Sequence, residues 1–71
     1  MKPSLIYRKG FERAIEVTGI SARQASISAG FNENQLNRFM SGTMDIKLGT
    51  LIKLCELGFN LPMETVYRMG K

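Results

Sequence analysis

The sequence predicts an all-α fold, and three observations carry that prediction. Glycines recur at Gly19, Gly30, Gly42, Gly58 and Gly70, each closing a segment whose apolar residues fall three and four apart. Short polar residues, Ser21 and Asn32 among them, stand where such segments begin, the position at which their side chains cap helices. No stretch alternates apolar and polar residues as a half-buried strand would. Glycine just past a helix end takes the left-handed conformation without a Cβ penalty, so five such glycines mark off five helices. A chain of 71 residues makes a single domain, 1–71, with a modest core.

The elements follow in order. The first helix is expected over about 4–18, with Pro3 ahead of it, Ser4 as its cap, and Tyr7, Phe11, Ala14, Ile15 and Thr18 as its apolar stripe. Gly10 inside it costs about 1 kcal/mol relative to Ala. The second is expected over about 22–29 and the third over about 33–41. Ser21 with Gln24 fits a capping box, and Asn32 with Gln35 fits a looser version. Ile20 and Phe31 precede those caps, and Phe31 is spaced to staple onto Leu36. Only Gly30 marks the junction, so the two helices must cross steeply, which is the geometry of a helix-turn-helix. The fourth helix is expected over about 47–57, with Leu48, Leu51, Ile52, Leu54 and Cys55 facing inward and Thr43 or Asp45 as cap. Gly58 as its left-handed stop would fold Phe59 onto Leu54. The fifth, about 62–69, opens with Pro62 at its first helical position.

Composition narrows the chemistry. At 44% apolar and 23% charged the chain is an ordinary globular one, and no apolar run reaches the roughly 20 residues that span a bilayer. The N-terminal MKPSLIYRKGF has no apolar stretch of signal length, and the lone Cys55 forms no intrachain disulfide, so a reducing cytoplasm is expected. Histidine is absent, which removes the commonest general base and metal ligand. The carboxylates Glu12, Glu16, Glu33, Asp45, Glu56 and Glu64 are scattered, and neither phosphate-binding glycine motif occurs. The expectation is a protein that is not an enzyme and holds no metal or cofactor. Met40, Met44, Met63 and Met69 suit either an adaptable interface or core filler. Ten Lys/Arg against six Asp/Glu give a net charge of +4, compatible with an anionic partner.

Gly19-Ile20-Ser21, the small Ser26, Gly30, Leu36, Phe39 and the Ser41-Gly42 exit together resemble the Cro/repressor-type helix-turn-helix family of lambdoid phage repressors and small bacterial regulators. LGTLIKLCELGFN resembles the family's fourth helix with its Leu-Gly stop, and the resemblance runs from about Phe11 to Met69. Three departures stand out. Ala22 occupies the position where the family often has a phosphate-touching Gln. Ile15 and Met40 occupy positions where many members have an Arg–Glu pair, so an apolar contact is expected instead. The fourth helix ends one residue early.

The resemblance implies a lambda-repressor-like bundle that reads double-stranded DNA in the major groove, as a transcriptional repressor on a palindromic operator. With Leu36, Phe39 and Met40 inward, Glu33, Asn34, Asn37 and Arg38 point outward with Gln35 beside them. Asn suits adenine, Arg suits guanine and Glu suits cytosine. Glu33 equally stabilises a helix start with no DNA present. Ser21, Arg23, Gln24, Asn32, Ser41, Thr43 and Lys47 are the expected phosphate contacts, and Arg8, Lys9, Lys53 and Arg68 add diffuse attraction. Proteins of this type bind as two-fold dimers, and Leu61, Met63, Val66, Tyr67 and Met69 form a stripe that serves either a homodimer interface or the monomer core. An antitoxin that also binds a toxin protein, and a protein-interaction module on the same fold, are the competing functions.

Overall fold

In a computed structural model, residues 3–43 and 45–71 are described. They form α1 (Pro3–Thr18), α2 (Ala22–Ser28), α3 (Gln35–Met40), α4 (Leu48–Lys53) and α5 (Met63–Gly70), with no strand among them. The chain is all-α. A wide turn of π geometry, Leu54–Gly58, carries α4 on without a break.

One core joins all five helices. Phe11 and Ala14 of α1, Ala25 of α2, Leu36 and Phe39 of α3, Leu54 and Cys55 of the π turn, Phe59 and Val66 are all buried. Phe11 sits at the centre, edge-on to Phe39 at 6.0 Å and tilted against Phe59 at 5.7 Å. Ile15 and Met40 both pack against this cluster half-buried, as do Met63 and Met69, which are therefore core filler in part; Met44 lies outside the described residues.

Three stops form as glycine chemistry requires. Gly19, Gly30 and Gly42 hold φ of +74°, +86° and +82°. After α2, the Gly30 N–H donates to Ile27 O at 3.0 Å and the Phe31 N–H to Ser26 O at 2.9 Å. After α3, the Gly42 N–H donates to Phe39 O at 3.1 Å and the Thr43 N–H to Arg38 O at 3.0 Å. Both are the paired bonds of a Schellman stop.

The other two glycines behave differently. Asn60, not Gly58, is the left-handed residue after α4, at φ +56°. Gly58 lies within the π turn, and a Cβ there would come within 2.9 Å of Ala25 O. Its smallness lets the turn approach α2. The wider turn brings the Phe59 N–H to Leu54 O and the Leu61 N–H to Cys55 O, five and six residues back. It thereby seats Leu54, Cys55 and Phe59 together in the core. Gly70 is the last residue of α5 rather than a stop beyond it, and a Cβ there would collide with Ile6 O. Gly10 meets α5 in the same way, its absent Cβ falling 2.1 Å from Val66 O. The two helices cross at glycines, with Tyr7 and Tyr67 tilted together 5.5 Å apart beside the crossing.

Other boundaries move by a residue or two. α1 begins at Pro3, so Ser4 lies inside it, and Pro62 caps α5 rather than starting it. Lys47 precedes α4 with no side-chain cap, so neither Thr43 nor Asp45 fills that role. Val66 is fully buried against α1, so it belongs to the monomer core and not to a dimer surface; Leu61, Met63, Tyr67 and Met69 also rest on that core, half-buried. No helix among the described residues is long and apolar enough to cross a membrane, and no cluster of metal-ligating side chains occurs among them.

Candidate nucleic-acid interface

Ser21 opens α2 with the expected capping box. Its hydroxyl accepts the Gln24 N–H at 3.1 Å, and Gln24 Oε1 accepts the Ser21 N–H at 3.0 Å. Both side chains spend an acceptor there. Gln24 keeps its amide donors, and the N–H groups of Ala22 and Arg23 remain outside the box.

Ser26 fixes how α3 leaves α2. It is fully buried, and its hydroxyl donates to Ala22 O at 2.8 Å while accepting the Leu36 N–H at 3.0 Å. Leu36 is the second residue of α3, so its N–H is one of the orphan donors of that helix start. A residue ten positions away supplies the missing acceptor. Sequence spacing did not reveal this: Ser26 reads as a small packing residue, and the bond exists only after the turn has closed.

The start of α3 differs from expectation. The helix begins at Gln35, not near position 33, and Asn34 precedes it without a side-chain cap. Asn32 Oδ1 accepts the Asn34 N–H at 2.9 Å, and the Asn32 carbonyl accepts the Gln35 N–H at 3.0 Å. Asn32 thus folds the turn on itself and makes no capping box with Gln35. Glu33 and Asn34 stand in that turn. On the helix proper, Leu36 and Phe39 are buried, Gln35 is half-buried, and Asn37 and Arg38 are exposed.

Beyond α3, the Ser41 hydroxyl donates to Arg38 O at 3.1 Å and lies 2.8 Å from the Thr43 hydroxyl. Ser41, Thr43 and Lys47 are exposed, as are Ser21, Arg23, Gln24 and Asn32. Arg8, expected as diffuse surface charge, lies instead half-buried beneath the end of α3. Its guanidinium stacks 5.3 Å from the Phe39 ring centroid, within 4.0 Å of Asp45 Oδ1 and close under Gly42. A cation there also suits the negative end of α3.

Two residues given separate roles meet each other. Arg23 Nε donates to Glu33 Oε2 at 3.0 Å, tying the start of α2 to the turn before α3. Their side chains are 69% and 49% exposed, so the pair contributes at most about 0.2–1 kcal/mol to stability. Its effect is on the charge that this surface presents.

Cys55 is buried in the core. Burial first, and Glu56 second, push its thiol up to about 12, so it holds its proton. No protein-family model matches this chain, and neither a curated protein nor a solved structure matches it.

Proposed function

We propose that this chain is a sequence-specific double-stranded DNA-binding regulator, acting as a repressor by occupying an operator. In this reading α2, the turn at Gly30 and α3 make a lambda-repressor-like helix-turn-helix. One observation supports it most. α3 is pinned by Leu36 and Phe39 while Asn37 and Arg38 stay exposed, with Glu33 and Asn34 beside them in the turn. Six residues make a rod about 9 Å long, which fits a major groove about 12 Å wide.

Roles divide by position. Asn37 and Arg38, with Gln35 and Asn34 at the leading end, reach base edges, Asn toward adenine and Arg toward guanine O6 and N7. Ser21, Arg23 and Gln24 at the start of α2, and Ser41, Thr43 and Lys47 beyond α3, fix register on phosphates without reading sequence. Asn32 holds the turn and plays the lesser part. The protein works in a cytoplasm that holds its operator. One such helix covers half a site, so two copies bind a palindrome with centres about 34 Å apart. Leu61, Met63 and Tyr67 keep exposed edges for that pairing, and Leu61 and Met63 line an open groove with Leu57.

Selection of bound duplexes from a random pool, followed by salt titration of the winner, tests the reading. A preferred symmetric sequence with affinity falling steeply in salt is the expected result. Absence of preference, or of binding to any duplex, refutes it.

A further inference from the structure

We propose that Glu33 sets specificity by restraining Arg23: its carboxylate holds the guanidinium in one direction and withholds its charge from DNA of arbitrary sequence. The inference rests on the DNA-binding reading above and names the residue that separates specific from random binding within that surface.

The geometry runs from the pair outward. Arg23 is the second residue of α2 and Glu33 stands in the turn before α3, ten positions on. Their 3.0 Å bond uses the guanidinium's Nε–H, so the donors on both terminal nitrogens remain free. Both side chains are open to solvent, which makes the pair a weak contributor to folding and leaves its charge in play. A guanidinium bonded through Nε is biased in direction and keeps the four N–H donors of its terminal nitrogens for a phosphate. In the register where α3 seats Asn37 and Arg38 on their bases, the free donors reach a phosphate while Glu33 keeps its hold. In other registers the carboxylate faces the phosphate backbone and opposes it.

Binding to random DNA is almost wholly counterion release, so it scales with the number of cations a surface brings to phosphates. A cation already neutralised by Glu33 does not count in that total. The acid therefore weakens random binding more than specific binding. This is the repulsive element that discrimination between competing sites requires.

Glu33→Gln keeps the shape of the side chain and removes its charge. Native protein, Glu33→Gln, and Glu64→Gln as an equal charge change that likewise frees a paired arginine (Arg68, 3.9 Å away) but on α5, which packs against α1, are titrated against the selected duplex and a random 20-base-pair duplex from 50 to 200 mM salt. Glu33→Gln is expected to bind the random duplex more tightly, with one more cation in the salt slope. Its advantage over the native protein then shrinks about 3.5-fold across that salt range, and its ratio of specific to random affinity falls. Glu64→Gln is expected to leave slope and ratio unchanged.

Four results overturn the proposal. They are an equal gain on both duplexes, an equal effect from Glu64→Gln, no change at all, or an altered preference at one base pair with random binding intact, which would make Glu33 a base reader. Failure of the native protein to bind any duplex removes the DNA-binding reading itself and this inference with it. Native binding with an unchanged Glu33→Gln ratio removes only the inference.

Discussion

Ser26→Ala isolates the bond that sets α3 against α2. The substitution removes one oxygen from a site with no solvent, leaving the Leu36 N–H without its acceptor at 3.0 Å. A buried donor stripped of its partner costs about 1–3 kcal/mol. Ala is a better helix former than Ser by roughly 0.5 kcal/mol, which offsets part of that. Freeing the Ala22 carbonyl costs little, because Ser26 N–H stands four residues along the same helix to satisfy it. The net loss is about 0.5–2.5 kcal/mol. For a domain of this size each 1 kcal/mol lowers Tm by about 4–8 °C. Urea and thermal unfolding followed by circular dichroism give the total, and hydrogen exchange at the Leu36 amide gives its location. Unchanged stability, or a Leu36 amide as protected in Ser26→Ala as in the native chain, would show that the hydroxyl does not hold the two helices together.

Four further outcomes follow from the same structure. Gly10→Ala should destabilise the fold by about 1–3 kcal/mol despite a favourable propensity, since its Cβ lands 2.1 Å from Val66 O; Gly49→Ala, with open space around it, should gain about 0.5 kcal/mol, and denaturant midpoints read both. The Cys55 thiol, lifted from 9.0 to about 12, presents roughly 1,000-fold less thiolate than an exposed cysteine at the same pH, so alkylation at pH 8 should occur only through unfolding. Because the folded chain holds that proton more tightly, the stability tied to it is intact below about pH 9 and declines as the pH rises toward 12. Tyr7, lifted from 10.0 chiefly by burial, acts in the same direction, and unfolding midpoints against pH measure the slope. Arg38→Ala should cost about 1–3 kcal/mol on the selected duplex and relax preference at one position per half-site; an equal loss on random DNA would make Arg38 a phosphate contact.

Residues whose role is settled by their own backbone were legible in the sequence. Gly19, Gly30 and Gly42 adopt positive φ because helix ends demand it locally, and the Ser21–Gln24 box closes within four residues. The outward face of α3 followed from Leu36 and Phe39 at helical spacing. What stayed hidden depends on a second element. Asn60 takes the left-handed role expected of Gly58 because α2 approaches the π turn, and Gly10 looks like a helix defect until α5 is laid across it. Within the candidate site the Arg23–Glu33 pair and the Ser26–Leu36 bond each link residues ten apart, a separation with no helical periodicity to announce it. Arg8 was unplaceable for the same reason, since its neighbours Phe39, Gly42 and Asp45 are more than thirty positions away.

The two Schellman stops around α3 have a consequence for how this surface can change. The helix start is held by the Gln35 N–H on Asn32 O and by the Leu36 N–H on the Ser26 hydroxyl, its end by the Gly42 and Thr43 N–H bonds, and its inner side by Leu36, Phe39 and the half-buried Met40. Asn37 and Arg38 take no part in that scaffolding through their side chains, so they form an exchangeable cassette. On the proposed DNA-binding function, new preferences would be written there by substitution, with the folding of the domain left as it was.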